Sequence, residues 1–208
     1  MDDAQAGTTG LRERKRAQTR RAIVDAALAR FTEQGFSPTT VEQIAADAGI
    51  APRTFFHYFP SKEDVVLADH DGRLARLREV LARRPADEAP LAAVRAALLE
   101  VADDYLEERD RLLVAARIMA GAPTVLARSL ERQTHWEEAI AEVVAVRLGV
   151  DVVRDVRPRL VAAVTLAAMR VTQRAWLAAG GTDDLPERMA DALDLLERGL
   201  GSIADQPV

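Results

Sequence analysis

Between Gly35 and Lys62 the chain is punctuated too often for anything but very short helices. Gly35 ends a helix, and Ser37-Pro38-Thr39-Thr40 resets the chain. Thr40 with Gln43, or Thr39 with Glu42, forms a capping box for a helix that Gly49 stops after two turns. Pro52 suits the first turn of a third helix, predicted to run to Phe59. Pro60-Ser61 breaks the chain again, and Ser61 caps a helix starting at Lys62. Two short helices around a tight glycine turn are the pattern of a helix-turn-helix. It needs a small residue where the helices cross, supplied by Ala45, and a residue tolerant of positive φ, supplied by Gly49. Ile44, Ala48, Ile50 and Phe55 complete the apolar set.

The rest of the chain also reads as helix. Alternating β-branched runs are absent, and Ala, Leu, Arg and Glu dominate. The spacing predicts a first helix over 15–34, with Ile23, Val24, Ala27, Leu28 and Phe31 on one face. Further helices are predicted at 90–108, 110–120, 123–148, 156–179 and 185–203. Residues 1–10, with Gly7, Thr8, Thr9 and Gly10, read as a disordered tail. The expected division is a helix-turn-helix domain over 11–60, a connecting helix over 61–84 and a larger helical domain over 85–208.

Charge is distributed unevenly. The net charge is −5, yet Arg12, Arg14, Lys15, Arg16, Arg20 and Arg21 face only Glu13 within residues 11–21. Such a basic arm on an acidic body is the asymmetry expected of a nucleic-acid binder. The absence of cysteine excludes disulfides, thiolate zinc sites and a cysteine nucleophile. Three scattered histidines argue against a metal cluster; Asp69, His70 and Asp71 are adjacent and diverge around a helix, so no metal and no cofactor are expected. The polar N-terminus is unlike a secretory signal, and the longest apolar run, Leu160–Met169, is about half a membrane span. No membrane association and a cytoplasmic setting are expected.

At about 100° per residue, Phe55 and Phe59 fall on one side of the third helix. Arg53, Thr54, Phe56, His57 and Tyr58 form the opposite arc. That arc combines a guanidinium that matches guanine O6 and N7, rings suited to thymine methyls, and hydroxyls that reach phosphate.

The run Thr40-Val41-x-x-Ile44-Ala45-x-x-Ala48-Gly49-Ile50, followed by Arg53-Thr54-Phe55-Phe56-His57-Tyr58-Phe59-Pro60-Ser61-Lys62-Glu63-Asp64, resembles the DNA-binding domain of the TetR family of bacterial transcriptional regulators. The resemblance covers about residues 15–66. It implies an all-α fold, with an N-terminal three-helix helix-turn-helix domain joined to a larger helical ligand-binding and dimerisation domain. By position, Arg53, Thr54 and Phe56 would approach bases, Thr40, Tyr58 and Lys62 would grip phosphates, and His57 could do either; Arg20 belongs to the basic arm. One departure stands out: the family often has Ser where this chain has Ala51, which cannot cap the recognition helix.

The implied function is a sequence-specific repressor, a homodimer on a near-palindromic double-stranded DNA operator, released by a small apolar or amphipathic effector. An activator of the same fold is one alternative; a helical enzyme or a non-DNA interaction module is another, though no nucleophile–base pair or phosphate loop is seen. Tyr105, Met119, Trp136, Met169, Gln173 and Trp176 are the candidate effector contacts. Met189, Leu193, Leu196 and Leu200, recurring at three- and four-residue steps, are expected to form a dimer interface with Leu160, Val164 and Val171.

Overall fold

The computed structural model describes residues 3–199, with side chains from Arg12 onward except Glu13. It holds helices α1 (Asp3–Gln34), α2 (Val41–Asp47), α3 (Pro52–Phe55), α4 (Lys62–Val66), α5 (His70–Arg83), α6 (Pro90–Glu107), α7 (Arg109–Gly121), α8 (Pro123–Leu148), α9 (Val156–Ala178) and α10 (Leu185–Arg198). No strand occurs among the described residues. None of the described helices is by itself long and apolar enough to cross a membrane.

Three boundaries differ from the sequence expectation. α1 begins at Asp3, not near Lys15, so helix covers most of the stretch read as a disordered tail. Helix propagates cheaply upstream once the Arg-rich segment has nucleated it. α3 is a single turn, and the chain beyond it continues in tight turns, with the His57 and Tyr58 amides bonded to the Thr54 and Phe55 carbonyls. The connecting helix is broken: Leu67 ends α4, and α5 starts afresh at His70.

Packing divides the chain into two units. Among the described residues, the first comprises 3–68 and 114–128; the second comprises 69–113 and 129–199. The break in packing after residue 68 lies between the boundaries that the sequence suggests after 60 and 84. In addition, the second half of α7 and the first turns of α8 pack with the N-terminal helices.

In the first unit, Ile23, Val24, Ala27 and Phe31 of α1 meet Ile44, Ala45, Phe55, Phe59 and Val65. Ala115, Ile118, Ala122 and Val125 extend the same core. In the second unit, α9 packs on α10 and α6, and α5 packs on α6. Its core includes Leu77, Leu98, Ile140, Leu166, Trp176 and Leu193.

Capping fixes the start of the short helices. The Thr40 hydroxyl accepts from the Gln43 amide while the Gln43 side chain accepts from the Thr40 amide, at 3.3 and 2.9 Å. Ser61 accepts from the Asp64 amide at the start of α4. Asp184 does the same for α10 through the Glu187 amide, at 2.9 Å. Ala51 makes no side-chain cap at α3, and Pro52 removes one amide that would need one.

Candidate functional site

The turn between α2 and α3 is set by Gly49, at φ +67°. The Ile50 amide reaches back to the Ala45 carbonyl at 2.9 Å and the Gly49 amide to the Ala46 carbonyl at 3.1 Å. This paired closure requires a left-handed residue between helix and exit, which is why glycine occupies it. Ala45 is fully buried, so α2 presents no bulk where α3 crosses it.

α3 and the turn after it divide their side chains as the sequence predicts for Phe55, Phe59, Arg53, Phe56 and His57, but not fully for Thr54 and Tyr58. Phe55 and Phe59 are buried, whereas Phe56 is 55% exposed. Arg53 and His57 are exposed, and Thr54 and Tyr58 are half-buried. Tyr58 packs its ring against the first unit's core. Thr40 is exposed at the start of α2. Its oxygen accepts the Gln43 amide, an arrangement that leaves the hydroxyl proton pointing elsewhere and able to serve a phosphate. Arg53, Phe56 and His57 thus present a guanidinium, an aromatic face and an imidazole on one outer surface. An isolated exposed phenylalanine costs solvation, so its place on that surface suits contact with base methyls.

Two cations expected on DNA are engaged within the protein. The Lys62 ammonium donates to the carbonyls of Phe36, Ser37 and Thr39 at 2.8, 3.0 and 2.8 Å. An ammonium has three donors, so none is left for a phosphate. Lys62 is a clamp on the α1–α2 connection rather than a phosphate grip. Arg20 donates to the Ala68 carbonyl, and its guanidinium lies 4.9 Å from the Phe59 ring centre. It braces α1 against the end of α4. The arm cations Arg12, Arg14, Lys15, Arg16 and Arg21 are exposed. Arg30 of α1 and Asp47 of α2 form a two-pronged ion pair that the sequence reading missed. Its signal lay in charges 17 residues apart, beyond any local pattern.

The candidate effector contacts do not all come together. Tyr105, Trp136, Met169 and Trp176 are buried in the core of the second unit, with Gln173 half-buried on α9. Met119 instead packs in the first unit. The indole of Trp136 donates to His70 Nδ1 at 3.4 Å, and that of Trp176 to the Asp183 carbonyl at 2.7 Å. Burial, helped by the nearby Arg132 charge, lowers the His70 pKa to about 4. Its imidazole is therefore neutral at pH 7 and accepts that indole proton. Burial raises the Tyr105 pKa, against the pull of the Arg73 guanidinium, so the phenol stays protonated.

Arg109 holds the end of α9. Its guanidinium donates twice to the Gly180 carbonyl, at 3.1 and 2.7 Å.

The expected dimer stripe splits in two. Met189 and Leu193 of α10 are buried in their own unit's core, and Leu196 packs partly against it. A side chain spent inside its own core cannot serve a partner as well, so Met189 and Leu193 are taken, while Leu196 keeps part of its surface exposed. Leu200 lies outside the described residues. On α9, Leu160, Val164 and Val171 are 56%, 37% and 64% exposed. They lie opposite the inward-facing Ala162, Leu166, Met169 and Trp176.

A buried-core helix pair around a left-handed glycine, with arginine, phenylalanine and histidine presented outward, defines a helix-turn-helix DNA-binding protein with a second helical unit. Comparison with known proteins makes the class specific. Residues 23–68 match the family described as bacterial regulatory proteins of the tetR family, and residues 88–201 match the MftR C-terminal domain. The chain is 41% identical over 180 residues to the HTH-type transcriptional regulator TcmR of Streptomyces glaucescens, covering 84% of this chain and 80% of that protein. It is 32% identical to the putative mycofactocin biosynthesis transcriptional regulator MftR of Mycobacterium tuberculosis, over 90% of this chain and 93% of that one. Among solved structures, the FadR repressor of Thermus thermophilus in complex with lauroyl-CoA superposes with a TM-score of 0.62 at 28% identity, covering 87% of this chain and 94% of that one. The chain belongs to the TetR family of transcriptional regulators.

Proposed function

We propose that the chain is a homodimeric repressor that leaves a near-palindromic operator when a small apolar or amphipathic effector binds its second unit. The observation that carries the DNA half is the division of α3 and its following turn, with Phe55 and Phe59 inward and Arg53, Phe56 and His57 outward. Arg53, Thr54, Phe56 and His57 meet base edges; Thr40 and Tyr58 meet phosphates, and the arm adds sequence-independent attraction.

One such module covers too little DNA for tight specific binding, so a two-fold pair is needed. The exposed apolar residues Leu160, Val164 and Val171 on α9 support a partner helix there. The effector half is supported by the aromatic and sulfur-bearing core of the second unit, Tyr105, Trp136, Met169 and Trp176. The ligand-bound repressor of Thermus thermophilus lends it further weight. Release needs only that the effector favour one spacing of the paired DNA-binding units.

The test is fluorescence anisotropy with duplexes from upstream of the chain's own gene. Saturable binding that discriminates against a scrambled duplex and weakens with salt is expected. Equal affinity for the scrambled duplex would overturn the reading.

A further inference from the structure

Arg73 stands on the first turn of α5 and is 9% exposed. One of its terminal nitrogens donates to a Glu108 carboxylate oxygen, and its guanidinium lies 4.4 Å from the Tyr105 ring centre. Its Nε has no hydrogen-bond partner, and it is the single such buried side-chain nitrogen or oxygen among the described residues. Buried donors are almost always paired, because burial strips off water and returns nothing. On the same side of the unit the Trp136 indole rests on His70, while the Tyr105 hydroxyl is the polar edge beside the guanidinium. The vacancy therefore belongs to one atom, an N–H fixed in the plane of a stacked guanidinium.

We propose that the Arg73 Nε–H is the polar anchor of the effector, and that the effector is an otherwise apolar molecule presenting an uncharged acceptor oxygen, such as a ketone or quinone carbonyl. This rests on the reading above that the second unit takes an effector. The choice of an uncharged acceptor follows from charge. Glu108 already neutralises the guanidinium, and Asp69 adds a second negative field. A carboxylate or phosphate arriving at Nε would become the third anion around one cation. A carbonyl meets the geometric need without that repulsion. The Tyr105 ring against the guanidinium fits an apolar body, and it belongs to the buried cluster that also holds Leu74, Leu77 and Trp136. The Glu108 side chain is 32% exposed, so the pair sits at the edge of that cluster.

The experiment uses the full-length protein and three matched pairs: fluorenone with fluorene, anthraquinone with anthracene, and 2-undecanone with undecane. Fluorene-9-carboxylate serves as the anionic control. Tryptophan fluorescence gives affinities, and 15N-arginine labelling follows the Nε–H resonances. At least one ketone is expected to bind about tenfold more tightly than its hydrocarbon and to shift one buried arginine Nε–H. In Arg73→Lys, which keeps a cation for Glu108, the preference should fall to within about twofold. Should that variant not fold, the wild-type contrast and the resonance still decide. No ketone preferred over its hydrocarbon, a preference without any Nε–H shift, or tighter binding of the carboxylate would each overturn the proposal. Failure of operator binding would sink the repressor reading instead, and the ketone contrast would remain a separate measurement.

Discussion

The Lys62 ammonium donates to the Phe36 carbonyl at 2.8 Å while standing 4.5 Å from the centre of the Phe36 ring. A cation in the pattern of a phosphate ligand is thus spent on the connection between α1 and α2. Lys62→Met, which keeps the stem and removes the donors, should cost about 2 kcal/mol of folding stability by urea titration. The salt dependence of operator affinity should be unchanged. A salt slope lower by about one, with stability intact, would return Lys62 to the phosphates.

Neighbouring phenylalanines should behave oppositely. Phe56→Ala should leave stability within about 0.5 kcal/mol, because the ring is exposed, and weaken operator binding. Phe55→Ala should cost about 3–5 kcal/mol of stability through the cavity it leaves. Arg53→Ala should cost about 1–3 kcal/mol of binding and relax one position per half-site in binding-site selection. An unchanged sequence preference would remove Arg53 from base readout.

Charge substitutions should separate the two faces of the C-terminal helices. Leu160→Glu with Val171→Glu should give a helical monomer by sedimentation, with operator affinity lost. Leu193→Glu should fail to fold, since the residue is 1% exposed in its own core. A dimer that survives the α9 pair would place the interface elsewhere.

Two glycines should differ in cost for a reason visible only in space. Gly49→Ala meets nothing within 4 Å, so it pays the left-handed backbone alone, about 1–2 kcal/mol. Gly181→Ala adds to its own left-handed φ a Cβ 3.0 Å from the Arg109 Nε and 3.2 Å from the Trp176 ring. It should be the more destabilising of the two in thermal unfolding. Equal midpoints would mean that Arg109 and Trp176 yield without cost.

Acid should weaken the second unit through His70. Its folded pKa of about 4 lies below the unfolded value of about 6.5, so the unfolded chain binds the proton first. Stability from this group is complete above about pH 6.5 and is lost as pH falls toward 4, by at most about 3 kcal/mol. His70→Gln should flatten that part of the pH–stability curve. An unaltered slope would show that the imidazole titrates normally.

The local sequence by itself determined where α2, α4 and α10 start, where α2 stops, and which side of the third helix turns inward. Thr40 with Gln43, Ser61, Gly49 and Asp184 act on backbone groups within four residues, so their partners are already written beside them. Phe55 and Phe56 are one residue apart, and the angle between them follows from helix geometry alone.

Tertiary structure decided what each face and each cation meets. The stripe Met189–Leu193–Leu196 suits a partner subunit or its own α9 and α6 equally well; only the fold places it against the latter. The partners of Lys62 lie 23–26 residues away and those of Arg73 at Tyr105 and Glu108, distances at which no periodicity operates. The joining of 114–128 to the N-terminal core is of the same kind. Hydrophobic burial fixes how much apolar surface must be covered and has no direction of its own. Which helix covers it, and which donor is left without an acceptor, follows from the packing of the whole unit.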